Sequence, residues 1–85
     1  MKVIIAVFRS RTETMKFYNL LGNSGVACEI ISTPREAKVG CGLSVKFDGR
    51  YLTSVNKLLP RYGFKSFVSF YETGHFGIKR ITLPY

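Results

Sequence analysis

Apolar residues in the first part of the chain follow a strand spacing and then a helix spacing. Residues 2–8, KVIIAVF, form a continuous β-branched run, as a strand buried inside a sheet requires. Ser10 precedes Glu13 by three positions, which is the pattern of a capping box at a helix start. Apolar residues then recur at helical spacing: Phe17, Leu20 and Leu21. The pattern predicts a buried strand followed by an amphipathic helix.

Two more strands and a second helix follow. Residues 26–32, VACEIIS, alternate, and three of them are predicted to face the core: Val26, Cys28 and Ile30. Residues 42–48, GLSVKFD, alternate again. Asp48 suits the N-cap of a helix. The apolar stripe of that helix comprises Leu52, Val55, Leu58 and Leu59. Gly63 suits the left-handed position just past its end.

The last strand and the tail complete the pattern. Residues 64–72, FKSFVSFYE, predict a fourth strand, with Phe67 and Tyr71 on one face. The order βαββαβ is that of a ferredoxin-like α+β sandwich, an antiparallel sheet with two helices on one face. We predict one such domain over residues 1–72. The C-terminal tail, residues 73–85, is predicted to add an edge strand through IKRITL.

Composition and charge narrow the class of protein. With 85 residues, of which 46% are hydrophobic, the chain is a single globular domain rather than a disordered segment. Thirteen Lys and Arg against five Asp and Glu give a net charge of +8, which favours encounters with anions. The basic residues are scattered, which indicates a solvated surface rather than a nucleic-acid tail. Two cysteines do not make a disulfide scaffold, so we expect a cytoplasmic protein. No apolar stretch approaches the length of a membrane span.

The segment 32–47, STPREAKVGCGLSVKF, interrupts the alternation between the second and third strands. Gly40 and Gly42 flank Cys41, which leaves little bulk beside the sulfur. Backbone N–H groups in such a turn can form an anion-binding nest. Positive charge in the same segment favours the thiolate. It comes from Arg35 and Lys38. The segment therefore predicts an accessible, reactive cysteine.

Other interpretations of these residues stay open. The segment is about as compatible with an inert cysteine in a glycine-containing loop as with a reactive one. Arg35 and Glu36 can form an ion pair with each other or face solvent. His75 has no Cys or Asp at ligand spacing, so no metal site is predicted. Cys28, in phase with the core residues of its strand, is predicted to be structural.

A disulfide between the two cysteines is not expected. If Ser32 lies opposite Cys41, then Cys28 pairs near Val45, four residues along the third strand. At the rise of a β-strand this separates the two cysteine backbones by about 13 Å. A disulfide needs less than about 7 Å. Cys41 is therefore expected to act alone.

The segment resembles the central motif of the selenium/sulfur (Se/S) carrier protein-like family of small bacterial and archaeal domains. The matching positions are Thr33, Pro34, Arg35, Glu36, Cys41 and Gly42. A looser likeness covers residues 2–71, and the chain departs from the family at 38–40, where small polar residues are usual.

The resemblance implies a carrier rather than an enzyme. Cys41 would accept sulfur or selenium as a persulfide or selenosulfide and pass it on by thiol exchange. Donor and acceptor proteins would be its partners, and no cofactor is needed because the cargo is held covalently. Glu36 is expected to orient Arg35 rather than to move protons.

Two other classes of function fit parts of the sequence. Residues 67–70, FVSF, match the end of an RNA-recognition motif, although the residues before them do not. A regulatory or interaction module that forms a homodimer through the sheet face or the tail is the other alternative. The sequence contains no carboxylate pair at useful spacing and no P-loop, which disfavours independent catalysis.

Overall fold

In the computed structural model, the described residues are 2–37, 41–74 and 77–81. The strands are β1 (Val3–Phe8), β2 (Cys28–Ser32), β3 (Leu43–Asp48), β4 (Phe67–Gly74) and β5 (Gly77–Ile81). The helices are α1 (Arg11–Asn23) and α2 (Leu52–Tyr62), with short 3-10 turns at Arg35–Ala37 and Gly49–Tyr51. Within these residues, no helix has the length and apolar character needed to cross a membrane.

The five strands form one antiparallel sheet in the order β2-β3-β1-β4-β5. β1 lies at the centre, between β3 and β4. The predicted α+β class, an antiparallel sheet with two helices, is confirmed. The sheet has five strands, because the tail adds β5, which pairs with β4 at the edge of the sheet as predicted for this segment. β4 itself runs past residue 72, where the domain was predicted to end.

Both helices pack on the same face of the sheet. Their buried cluster contains Ile4, Ala6, Phe8, Phe17, Leu21, Val26, Val45, Phe47, Val55, Leu59 and Phe70. Phe8 is central, because its ring centroid lies 4.9 Å from that of Phe17 and 5.6 Å from that of Phe64. Tilted and edge-on aromatic pairs of this kind add to the gain from burial. Phe8 therefore joins the first strand to the first helix and to the segment that precedes β4.

The face of β4 is different from the one predicted. Phe67 and Phe70 both pack on the helix side, whereas Tyr71 packs on the opposite side. The pairing of β1 with β4 shifts by one residue between Val7 and Phe8, as in a β-bulge. An extra residue reverses the alternation beyond it. The prediction that Phe67 and Tyr71 share a face is wrong for this reason.

The pairing of β2 with β3 also differs from the assumed one. Ser32 lies opposite Leu43, and Cys28 lies opposite Phe47. Phe47 is six residues after Cys41. At the rise of a β-strand, the backbones of Cys28 and Cys41 are therefore about 20 Å apart along the strand direction. The separation exceeds the one expected from the sequence, and both cysteines are free thiols.

The second face of the sheet is partly covered by the chain that follows β2. Ala37 packs there in a second buried cluster with Ile5, Val7 and Tyr71. The 3-10 turn Arg35–Ala37 therefore lies on the side of the sheet away from the two helices.

The second helix ends as predicted but begins later than predicted: α2 starts at Leu52, and its N-cap residue Tyr51 forms no side-chain cap. The Asp48 carboxylate accepts a hydrogen bond of 2.9 Å from the N–H of Arg50, which starts a 3-10 turn leading into α2. Val55 and Leu59 are its buried residues. Gly63 ends the helix in the left-handed conformation, with φ of 67°, which glycine adopts without steric cost.

Candidate functional site

Cys41 lies at the end of the sheet where β1 ends and α1 begins. Its backbone N–H donates a hydrogen bond of 3.3 Å to the carbonyl oxygen of Phe8. The N–H of Thr33 donates to the carbonyl oxygen of Gly42 at 3.0 Å, one row beyond the last β2–β3 pair. Because β1 and β3 are antiparallel, the start of β3 meets the end of β1. Cys41 is thereby placed beside the first turn of α1.

Within the described part of the chain, the sulfur of Cys41 has two hydrogen-bonding neighbours. Its Sγ atom lies 3.6 Å from the hydroxyl oxygen of Thr14 and 3.6 Å from the carbonyl oxygen of Leu43. Thr14 is fully buried, and its hydroxyl also donates to the carbonyl oxygen of Ser10 at 2.9 Å. A protonated thiol can donate to Leu43 or to Thr14. Once the thiol loses its proton, the Thr14 hydroxyl can turn and donate to the sulfur instead.

The surroundings of Cys41 favour the thiolate. Burial of the sulfur acts to raise the pKa of Cys41. The hydrogen bonds from Thr14 and from the nearby backbone, together with the positive charge of Arg11, outweigh burial and leave this pKa below its usual value. The backbone contribution comes from Leu43 and from Cys41 itself. The N-terminus of α1 carries a partial positive charge that acts in the same direction as Arg11.

The second cysteine has the opposite character. Burial raises the pKa of Cys28, and no charged group offsets it. Its Sγ atom donates to the carbonyl oxygen of Tyr18 at 3.6 Å, and the side chain packs against the core cluster on the helix side, as the sequence predicts. Cys28 is therefore the less reactive thiol of the two.

The first turn of α1 is anchored from two sides. The Ser10 hydroxyl accepts a hydrogen bond of 3.2 Å from the N–H of Glu13, which is one half of the predicted capping box. The Glu13 carboxylate does not complete the box. It accepts bonds of 2.8 Å and 2.6 Å from the N–H and hydroxyl of Ser66, and these bonds lower the pKa of Glu13. The N–H of Arg9 donates to the carbonyl of Ser66 at 2.9 Å. The turn that carries Thr14 is thus held against the start of β4.

Of the two glycines predicted to flank the cysteine, Gly42 lies in the described part of the chain. It has φ of 90°, a conformation that favours glycine, and a Cβ atom there would meet no atom within 4 Å. Backbone conformation rather than space therefore requires glycine at this position. Cys41 itself is partly exposed.

The other predicted site residues are spread over the segment. Thr33 shares a hydrogen bond of 2.7 Å with Ser44 through their hydroxyl groups, and Pro34 accepts a backbone bond from Ala37. Arg35 and Glu36 are exposed, and neither forms an ion pair with another described residue. Lys38, Gly40 and His75 lie outside the described residues. Among the described residues, no three His, Cys, Asp or Glu side chains converge to hold a metal.

Sequence reasoning missed Arg11 and Thr14, which precede Cys41 by 30 and 27 residues. The available signal was the predicted strand order. In an antiparallel β1–β3 pair, the residues after β1 and the residues before β3 lie at the same end of the sheet. The start of α1 must therefore lie near Cys41.

The comparisons with known proteins bear on residues 3–67. This range matches the family model described as "Putative Se/S carrier protein-like". It includes the first turn of α1 and the whole segment around Cys41. No curated protein and no solved structure matches the chain significantly. The family model covers more than half of the chain, and the protein therefore belongs to the Se/S carrier protein-like family.

Proposed function

We propose that the protein carries sulfur or selenium covalently on Cys41 and passes it between a donor and an acceptor protein. One observation supports this most directly: the partly exposed thiol beside the N-terminus of α1 has a lowered pKa, whereas that of Cys28 is raised. Thiolates, not thiols, are the nucleophiles in sulfur exchange. We place this role in the cytoplasm, where a free thiol stays reduced.

The transfer step needs no oxidant. The Cys41 thiolate attacks the terminal sulfur of a donor persulfide, R–S–SH, and forms a new S–S bond. The S–S bond of the donor breaks, and the donor sulfur leaves with the electron pair and the charge as R–S⁻. Cys41 now carries the persulfide, Cys–S–SH. The same exchange with a terminal selenium atom produces the selenosulfide, Cys–S–SeH, and the reverse reaction loads the acceptor.

Residues around Cys41 have distinct roles in this proposal. Arg11 and Thr14 stabilise the thiolate before attack, and they stabilise the terminal charge of the deprotonated persulfide afterwards. Gly42 shapes the backbone next to the sulfur. We propose that Arg35 and Lys38 meet the incoming anion. The remaining motif residues support the loop: Thr33, Pro34, Glu36 and Gly40.

The fold is consistent with a small carrier domain. We infer a ferredoxin-like sandwich, since the first four strands lie in the order β2-β3-β1-β4 with both helices on one face. β5 extends this arrangement at the outer edge of β4.

The residues of β4 do not support the RNA-binding alternative. Phe70 and Tyr71 are only 2% and 7% exposed, whereas base stacking needs exposed aromatic side chains. Dimer formation through the sheet face or the tail stays a prediction. The 3-10 turn at 35–37 already covers part of that face.

Exposure of the reduced protein to glutathione persulfide tests the carrier function. We expect intact-mass spectrometry to show a gain of about 32 Da, one sulfur atom, mapped to Cys41. Cys28 should remain unmodified because burial raises its pKa. A protein that gains no sulfur, or gains it on Cys28 alone, would contradict the proposal.

The variant Thr14→Val tests the hydroxyl beside the sulfur. Valine has nearly the same shape but cannot donate a hydrogen bond, so the pKa of Cys41 should rise toward that of an ordinary cysteine. The rate of alkylation by iodoacetamide, followed against pH, measures this change. Thr14→Ser keeps the hydroxyl and should restore the low-pH reactivity. Equal profiles for the wild type and Thr14→Val would show that the hydroxyl has no such role.

A further inference from the structure

Charge is distributed unevenly between the two ends of the sheet. At the end where β1 begins and β3 ends, most acidic and basic side chains form ion pairs. Three ion pairs join Lys2 to Glu72 at 3.8 Å, Lys46 to Glu29 at 2.6 Å and Arg50 to Asp48 at 3.4 Å. Three of the five acidic residues of the chain are used in this way. The charges of these six side chains cancel, and Lys79, opposite Glu72 on β5, adds one positive charge at this end.

The end that carries Cys41 has an excess of positive charge. Arg9 directly follows Phe8, whose carbonyl holds the Cys41 backbone. Arg11 opens α1, and Lys65 precedes the residue that anchors the first turn of α1. We call Arg9, Arg11 and Lys65 the basic rim. All three side chains are exposed, and none forms an ion pair with another described residue.

Glu13, the carboxylate in the first turn of α1, does not cancel the basic rim. Glu13 is directed at Ser66, from which it accepts two hydrogen bonds. Lys16, one turn further along α1, is exposed and interacts electrostatically with Glu13. Its charge offsets that of Glu13. Of the rim charges, that of Arg11 acts on the sulfur itself, and those of Arg9 and Lys65 lie on two segments that are hydrogen-bonded to each other at the same end of the sheet.

We propose, on the basis of the carrier function above, that Cys41 exchanges preferentially with persulfides and thiols that carry negative charge beside the reacting sulfur. Fixed positive charges around a reactive group raise the local concentration of anions and repel cations. At physiological ionic strength the field extends only about 8 Å, so charges at the far end of the sheet contribute little. Carboxylates on a small thiol and on the surface of a protein donor share this chemistry.

Three mixed disulfides of pyridine-2-thiol measure the preference without knowledge of the natural donor. Their second halves are 3-mercaptopropionate, 2-mercaptoethanol and cysteamine, which are anionic, neutral and cationic. The Cys41 thiolate attacks the sulfur of this second half, the S–S bond breaks, and pyridine-2-thiol leaves in every case. The leaving group is thus constant, and its absorbance reports the rate. A Cys28→Ser background leaves a single thiol, and mass mapping of the wild type provides the same assignment.

The rate of Cys41 with each disulfide is divided by the rate of free 2-mercaptoethanol with the same disulfide. We expect the anionic reagent to react about tenfold faster than the cationic one at low salt. The ratio should fall toward one in about 0.5 M salt, because screening removes the field. Equal relative rates at low salt would overturn the inference but leave the carrier function intact. Failure of Cys41 to accept sulfur from glutathione persulfide would instead overturn the carrier function.

A matched pair of double variants separates the basic rim from net charge. Arg9→Ser with Lys65→Ser removes two rim charges, and the anion preference should fall severalfold. Lys2→Ser with Lys79→Ser removes the same charge elsewhere. Lys2 lies six residues from Phe8 along β1, about 20 Å away. This control should keep the wild-type ratio. Equal losses in both double variants would show that overall charge, not the rim, sets the rate.

A short single-stranded RNA provides a further control. An RNA that binds in low salt and blocks Cys41 against the anionic disulfide would assign the rim to nucleic acid and overturn the inference. Unchanged labelling in its presence supports a site for anionic thiols.

Discussion

Replacement of Cys41 by serine is expected to abolish the loading of sulfur or selenium. Serine keeps the size of the side chain, but its hydroxyl is not ionised at neutral pH and forms no persulfide. The partly exposed sulfur should contribute little to stability, so the variant should fold. Incubation with glutathione persulfide, followed by intact-mass spectrometry, should show no added sulfur. Circular dichroism should match that of the wild type.

Cys28→Ser is the matched control for this result. Cys28 lies on β2, level with Phe47 and far from Cys41, and its thiol is stabilised in the protonated form. Its substitution should leave loading unchanged and lower stability modestly, because a polar atom replaces sulfur against the core. A Cys41→Ser protein that still loads sulfur, or a Cys28→Ser protein that has lost loading, would transfer the carrier role to Cys28.

Phe17→Ala is expected to have the largest effect on folding. Phe17 is completely buried, and its ring centroid lies 4.9 Å from that of Phe8 and 5.4 Å from that of Phe64. Truncation of a buried phenylalanine typically costs about 3–5 kcal/mol, from lost burial and the cavity left behind. The total free energy of unfolding of a small domain is only about 5–15 kcal/mol. Urea denaturation should therefore show a large fall in the free energy of unfolding.

Met15→Ala is the control on the same helix. Met15 is 39% exposed, so its truncation should change the free energy of unfolding by less than about 1 kcal/mol. Both variants introduce alanine, which favours the helix, so a difference in stability between them reflects packing rather than helix propensity. A Phe17→Ala protein as stable as Met15→Ala would show that the α1–β1 packing is looser than the aromatic geometry indicates.

Local features of the fold were predictable because they depend on residues close together in sequence. The Ser10 cap, the left-handed Gly63 and the alternation of β2 each need only a few neighbouring residues to form. The family motif around Cys41 is likewise a short contiguous segment, and it was recognisable without coordinates. The sequence by itself therefore determined the order of strands and helices and identified one cysteine as the candidate carrier.

The tertiary structure decided which groups surround that cysteine. Arg11 and Thr14 lie near Cys41 because β1 and β3 are antiparallel. This pairing brings the start of α1 and the start of β3 to the same end of the sheet. Arg35, close in sequence, is instead the first residue of the 3-10 turn whose Ala37 packs on the other face of the sheet.

The registers of the strands were likewise known only from the folded structure. The bulge beside Val7 reversed the faces of β4, and the β2–β3 pairing placed Cys28 opposite Phe47. A slip of one residue changes every contact of a strand while its sequence pattern hardly changes. Register and long-range proximity arise from packing among distant segments, and this is why a single sequence did not determine them.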